Sequence, residues 1–596
     1  SHKRMSVNYN QRIDRFQSII NALTHQSQLI GRARLLTFVI GIALVIYLWN
    51  YTLFLAGGLP VIIVIFLFLV SKSKHIENSL ILHKNLLLIN QNEHAVLSGQ
   101  YADRPAGDQY ISKIPGQDND LDIFGLGSLY QYINRSVSQQ GSDKVAHMLG
   151  SLNNKTQILL RQEALKELSA KLDWRQLLMA IQMQHPVRQQ TQDLLTDWIG
   201  QKDLSEELLL KKVFAVILSM LSITVTLAYA FHRISINRYT LFVLLMFGVI
   251  GFIAFRANKW FKHLDRISKE LSTLLPCIEA IEQESFINPL LQDIAQKVKK
   301  PHSSAASIKK LRLILERYDY RLNPIVHIPL NFFTWWDLQN WIALIAWRKE
   351  FKGDIQHWFE ALAEIEALNS FANLAHNHPD WAYPEIQDEW FVLEAKGLAH
   401  PLLPKSKAVV NDFTMKSPNQ IDLITGSNMA GKSTFLRALG TNMILAGIGS
   451  PVHAQSFILS PGKVMTSMRI SDNLQEETST FYAELKKIKA ILDAVKQKLQ
   501  VIILIDEMLR GTNTEDRKLG SRGLIHQLIQ SGAVGIIASH DTALSTFKDQ
   551  FDEVVKNYYF DSYIDQDTLK FDYKIKEGVC TSANASFLMK KMGIDI

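Results

Sequence analysis

Between Leu35 and Val70 the chain runs for 36 residues without one charged side chain. As a single helix that stretch would reach about 54 Å at 1.5 Å per residue, well past a hydrocarbon core of about 30 Å. The chain therefore has to double back within it. Asn50-Tyr51-Thr52 and Gly57-Gly58-Leu59-Pro60 carry turn chemistry near the middle. A tight hairpin of two membrane helices is expected over 35–70, flanked by Arg32/Arg34 and Lys72/Lys74. Residues 1–34 ahead of it form a polar, helix-compatible segment, in which Ser1-His2-Lys3-Arg4 before Met5 reads as a cloning remnant.

A second hairpin is expected over 213–255. Val213 to Phe231 is free of Asp, Glu, Lys and Arg for 19 residues and Tyr239 to Phe255 for 17, with the short polar turn His232 to Arg238 between them. Lys211/Lys212 precede the pair, and Arg256, Lys259 and Lys262 follow it. They outnumber Arg233 and Arg238 in the turn, so the positive-inside rule puts the flanks in the cytoplasm. The alternative is four buried core helices, since spans of 17 and 19 residues sit at the short end of the membrane range. The reading adopted is a multi-pass cell-membrane protein with four spans. A cleaved leader is not expected, because the first apolar run starts at residue 35 and no small-residue cleavage pattern follows.

The second constraint is local. Ile421 to Arg437 reads IDLITGSNMAGKSTFLR: a short apolar run, then Gly426 to Ser433 matching G-x-x-x-x-G-K-[ST], then a helical pattern. Strand before and helix after is the context that confirms a phosphate-binding loop. Gly426, Ser427, Asn428, Met429, Ala430, Gly431, Lys432, Ser433 and Thr434 are expected to hold ATP. Backbone N–H groups turn towards the phosphates, the following helix adds its positive end, and Lys432 meets the β/γ-phosphates. Ser433 supplies a hydroxyl for Mg²⁺.

Val501 to Glu507 (VIILIDE) is an apolar strand ending in two carboxylates, the pattern of a strand buried on both faces of a parallel sheet. Asp506 is placed to hold Mg²⁺ and Glu507 to orient or deprotonate the attacking water. Val534 to Ser539 is a further buried strand ending at His540, a candidate contact to the γ-phosphate region. With Lys432, Glu507 and His540 form the expected catalytic set. Arg510 to Thr514 reads as a polar turn, and Ser471 to Glu484 as a loop feeding a helix, suited to a subunit contact.

Elsewhere, 75–210 and 257–400 are mostly helical in pattern. Trp335, Trp336, Trp341, Trp347 and Trp358 form an aromatic set that reads as helix core, against a base-stacking platform or an interfacial belt. The net charge of +7 is small for 596 residues and decides no partner. Cys277 and Cys580 lie far apart, so neither a disulfide framework nor a thiolate metal site is expected.

Taken together, these motifs resemble the MutS family, whose ATPase is of the ABC class. Thr425 to Thr434 (TGSNMAGKST) is similar to the family's TGPNMGGKST, with Ser427 for proline and Ala430 for glycine. Ile444 to Ala454, Ser479-Thr480-Phe481 with Glu484, Leu504 to Thr514 (LIDEMLRGTNT) and Ala538 to His540 resemble its later motifs, and Tyr573 to Ile594 its closing strand and helix. More weakly, Asp120 to Val137, Arg161 to Leu168 and Ala361 to Leu368 resemble its core and levers. The resemblance implies an α/β P-loop ATPase domain over 401–596, with lever and core regions over 75–210 and 257–400. It implies a homodimer in which Ser479 reaches the γ-phosphate bound by the other copy, and in which Asn428 contacts phosphate or Mg²⁺.

Two departures shape the function expected. No N-terminal mismatch-reading domain and no Phe-x-Glu wedge in a suitable context is found, and a membrane hairpin stands where levers would lead to a DNA clamp. The leading expectation is a membrane-anchored ATPase that transmits head closure through lever helices to the hairpins, towards a protein partner the residues do not identify. The alternative is a membrane-tethered, mismatch-repair-type ATPase binding DNA through Lys297, Lys299, Lys300, Lys309, Lys310, Arg312 and Arg317. A transporter is disfavoured, because no charged or Gly/Pro-broken span marks a substrate path.

Overall fold

The computed structural model describes residues 9–47, 52–111, 119–200, 208–261, 264, 268–299, 302–426, 430–468, 480–565 and 568–580. The first uncharged run lies in two long antiparallel helices, α1 (Tyr9–Tyr47, 39 residues) and α2 (Thr52–Leu97, 46 residues). Gly41 packs on Ile62, and the Phe38 and Phe66 rings are 6.2 Å apart. Helix α1 ends at Tyr47 and α2 starts at Thr52. The second turn signal is not used, because Gly58 and Pro60 lie inside α2. An apolar surround favours this, since a backbone without water satisfies itself best as continuous helix and tolerates Pro within it.

The polar ends of α1 and α2 stay paired and dock on a helical body. Arg12 donates to Asn90 (3.1 Å), Gln176 (2.9 Å) and Asp173 (2.6 Å), and Tyr9 to Asn377 (2.6 Å). Glu93 of α2 forms a buried ion pair with Arg135 and accepts from Asn373 (2.9 Å) and Asn377 (3.0 Å). The second hairpin is α3 (Leu208–Ala230) and α4 (Ile236–Phe261), closed at its turn by Tyr229 stacked on Tyr239 at 4.4 Å. The most apolar stretches of the four helices are only 0%, 6%, 17% and 17% buried, so each is long and apolar enough to cross a membrane and shows that face outward.

After α4 come α5 (Ser304–Tyr318), α6 (Pro324–Thr334), α7 (Trp336–Phe351) and α8 (Ile355–Asn377). The last is apolar nearly all round and runs through the middle of the helical body. Its one fully buried carboxylate, Glu366, accepts from the N–H groups of Val137 (2.7 Å) and Ser138 (3.0 Å) and from the Ser138 hydroxyl. Trp335, Trp347 and Trp358 are buried, with Trp347 stacked on Trp198, so these rings are core and leave no exposed stacking platform among them. Of the basic cluster, Lys297, Lys310 and Arg312 are paired with Asp293, Glu350 and Glu316; Lys300 lies outside the described residues.

Strands begin upstream of residue 401. A four-stranded sheet has the order β1 (Glu385–Ile386), β5 (Ser456–Leu459), β2 (Leu393–Leu398), β3 (Asn411–Met415). A six-stranded sheet has the order β10 (Thr568–Glu577), β9 (Val555–Asp565), β4 (Ile421–Thr425), β8 (Val534–Ala538), β7 (Val501–Asp506), β6 (Lys463–Ser467). It is parallel from β9 to β6, with β10 antiparallel at the edge. Helices α9 (Lys432–Ile448) and α10 (Thr480–Lys496) belong to this unit. Asp120 ties it to the helical body, accepting from Thr466 (2.9 Å) and from the N–H of Met468 (3.0 Å).

Candidate active site

In an open parallel sheet, ligands sit beyond the carboxyl ends of the strands. Here β4, β8 and β7 are neighbours, so their ends bring together three loops far apart in sequence. Strand β4 ends in the phosphate-binding loop, β7 in Asp506-Glu507 and β8 in Ser539-His540.

Gly426 takes φ 139°, and a Cβ there would meet the Phe560 carbonyl oxygen at 2.6 Å. Only glycine fits that turn. Gly431, at φ 107°, opens α9. Ser427, Asn428 and Met429 lie outside the described residues, as does Ser479. Ala430 is buried, whereas Thr434 at the start of α9 is exposed. Lys432 is fully buried and its ammonium donates to the Gly426 carbonyl, closing the loop on itself. Burial pulls its pKa below the ordinary lysine value, against the opposing pull of Asp506 and Glu507.

Ser433 hydrogen-bonds the Asp506 carboxyl. Burial pushes that carboxyl's pKa above its ordinary value, against Ser433 and Arg510. Its Oδ1 is buried without a hydrogen-bond partner. An orphaned carboxylate oxygen beside a hydroxyl, facing a phosphate loop, is the donor set a hard divalent cation takes. The residues present fit Mg²⁺.

Glu507 sits in the left-handed region at φ 53°, and its N–H donates to the Ala538 carbonyl (3.0 Å). Its carboxylate lies between a guanidinium and an imidazole, with Arg510 Nε 3.1 Å from Oε2 and His540 Nδ1 3.8 Å from Oε1. The structure therefore brings Lys432, Ser433, Asp506, Glu507 and His540 to one place.

The roles of several contributors are not apparent from motif spacing. Arg510, read as part of a turn, is the direct partner of Glu507. Glu484 of α10 accepts from the backbone N–H groups of Leu509 and Arg510, which fixes the bend after β7. A cavity of about 270 Å³ opens beside the loop, lined by His400, Lys407, Gly431, Phe435, Phe560 and Tyr573 among others. Those residues come from four distant segments, so no local pattern announces them.

Residues 422–591 match the family model for MutS domain V. Over these residues the C-terminal unit is similar to MutS domain V. This domain is a P-loop ATPase domain, in keeping with the sheet order and the converging strand ends. The chain is 31% identical over 240 residues to a DNA mismatch repair protein MutS of Thermotoga maritima, covering 39% of this chain and 29% of that protein. It is 32% identical over 238 residues to MutS of Bacillus subtilis, covering 39% and 27%. With a DNA mismatch repair protein MutS 2 of Halobacterium salinarum the figures are 30% over 240 residues, 39% and 27%. The domain match and these relatives support membership of the MutS family. The aligned region spans less than a third of each of these curated relatives.

Proposed function

We propose that this chain is a membrane-anchored MutS-type ATPase, working as a homodimer. Its ATP cycle would act through the helical body on two transmembrane hairpins. The observation that carries the reading is the convergence of Lys432, Ser433, Asp506 and Glu507 at one edge of the parallel sheet, with Asp506 Oδ1 left unpartnered.

In this reading the incoming β/γ-phosphates draw the Lys432 ammonium off the Gly426 carbonyl. The N–H groups at the start of α9 receive the same phosphates. Ser433 and Asp506 would hold Mg²⁺, which neutralises phosphate charge when bound. Glu507 orients the attacking water and accepts its proton, with Arg510 and His540 setting the direction of the carboxylate. Ser479 of the partner subunit would complete the site on closure, as the family resemblance implies. The cavity beside Phe435, Phe560 and Tyr573 takes the base and ribose.

Closure of the heads would reach the membrane through contacts already in place. Asp120 and Asp122 hold β6 and α9 (Asp122–Arg437, 3.4 Å), and Glu93–Arg135 joins the body to α2. The apolar, outward faces of α1 to α4 support a bilayer as the surround.

ATP turnover by the full-length protein in lipid nanodiscs, with and without duplex DNA, tests this reading. Lys432→Ala should abolish ATP binding. Glu507→Gln should keep binding and lose about 10²- to 10⁴-fold in turnover, the usual contribution of a general base. Wild-type turnover in Glu507→Gln would refute the catalytic assignment. Strong stimulation by DNA, weakening steeply with salt, would favour the mismatch-repair-type alternative that the relatives' names suggest.

A further inference from the structure

Helix α6 is short, apolar and largely uncovered. From Leu322 to Trp336 the chain carries no Asp, Glu, Lys or Arg. Leu322 and Ile325 are 76% and 85% exposed, and Val326 and Ile328 about half exposed. Fifteen residues are too few to cross a bilayer, and four large exposed aliphatic side chains in and just before the helix are costly to leave in water.

Its polar side chains find protein partners. His327 Nε2 lies 3.0 Å from Asp337 Oδ1, Asn331 donates to Asp337 Oδ2 (2.9 Å), and the Asp337 N–H donates to Asn331 Oδ1 (3.2 Å). Asn323 caps the helix by accepting from the Ile325 N–H. Ionisable groups that pair with one another and face protein are the arrangement tolerated at membrane depth.

The neighbours of α6 set that depth. The Phe332 ring lies 6.4 Å from Phe242 and 5.8 Å from Phe247, both in the uncharged part of α4. Those residues precede Arg256 by fourteen and nine positions, about 21 and 14 Å along a helix at 1.5 Å per residue. Phe332, Trp335, Leu338 and Ile342 form one buried cluster with Ala215 and Leu218 of α3 and Met246 and Ile250 of α4. Arg321, just before α6, donates to Asn258 (2.6 Å) at the cytoplasmic end of α4.

We propose that α6 is a re-entrant, membrane-embedded helix beside the second hairpin, its exposed Ile325, Val326 and Ile328 and the preceding Leu322 lying against lipid acyl chains. The inference rests on α3 and α4 crossing a bilayer. It adds a fifth membrane contact, on the segment that joins α5 to the helical body through α7.

The test uses the full-length Cys580→Ser protein, which retains the buried Cys277. Ile325→Cys and Ile328→Cys carry a bimane label, with Leu245→Cys on α4 and Leu519→Cys on the ATPase surface as references; either of the first two suffices if the other fails to fold. In phosphatidylcholine vesicles with brominated acyl chains, labels at 325 and 328 should lose fluorescence as fully as at 245 and several-fold more than at 519. Aqueous iodide should leave them unquenched. Iodide quenching at 325 and 328 with bromolipid quenching at 245 would overturn the inference while leaving the spans standing. Protection from both quenchers would mean that protein covers the face, and would overturn it too. Iodide quenching at 245 would remove the span reading and this inference with it.

Discussion

Asp422 shows how much of this domain is decided by single side chains. It lies in the fully buried strand β4, four residues before Gly426, accepts from Gln420 (2.8 Å) through Oδ1, and leaves Oδ2 unpartnered. Burial raises its pKa from 3.8 to about 7. The folded state thus holds the proton more tightly than the unfolded chain. Below about pH 4 both states are protonated and nothing is lost; between 4 and 7 rising pH costs stability; above 7 the cost is complete. Asp422→Asn removes that titration, so its Tm minus that of the wild type should grow from pH 5 to pH 8 and then level off. A difference independent of pH would show that Asp422 does not titrate in this window. The same scale shows where sequence reading stops. Lys432, Ser433, Asp506 and Glu507 are legible because each sits at a fixed offset in a local strand–loop–helix pattern. The roles of Arg510 and Glu484 are not, because a salt bridge across a bend and a cap from another helix depend on how segments meet.

At the level of elements, hairpin 1 is less separate from the body than its hydropathy suggests. The uncharged run predicts two helices, and α1 and α2 are there. Their polar halves continue without a break and dock through Arg12, Asn90 and Glu93. Such residues look like ordinary solvated helix charges until Arg135 and Asn373 meet them. Turn chemistry at Gly57–Pro60 misleads for the opposite reason: in an apolar surround the helix absorbs it. Helix α6 was hidden in what reads as a tryptophan-rich helical stretch. The buried Glu93–Arg135 pair is the joint between α2 and the body, and breaking it on one side leaves an uncompensated charge. Arg135→Met should cost roughly 3–5 kcal/mol, read as a fall in Tm, and adding Glu93→Gln should recover part of it. An unchanged Tm in Arg135→Met would show that the joint carries no weight.

For the molecule as a whole, the unit that carries the phosphate-binding loop and the four long apolar helices are joined by a helical body centred on α8. Its buried Glu366 and the flanking Asp120 and Glu93 contacts tie the body to β6 on one side and to α2 on the other. The family resemblance extends furthest where ATP chemistry constrains spacing and least in the hairpins, whose long apolar faces point outward. The central claim is that one chain both hydrolyses ATP and sits in the bilayer. Flotation of proteoliposomes after an alkaline carbonate wash, with ATP turnover assayed across the gradient, tests it directly. The account predicts that wild-type activity floats with the vesicles and that Glu507→Gln floats equally but without turnover. Activity left in the dense, lipid-free fractions, or a Glu507→Gln protein as active as wild type, would contradict it.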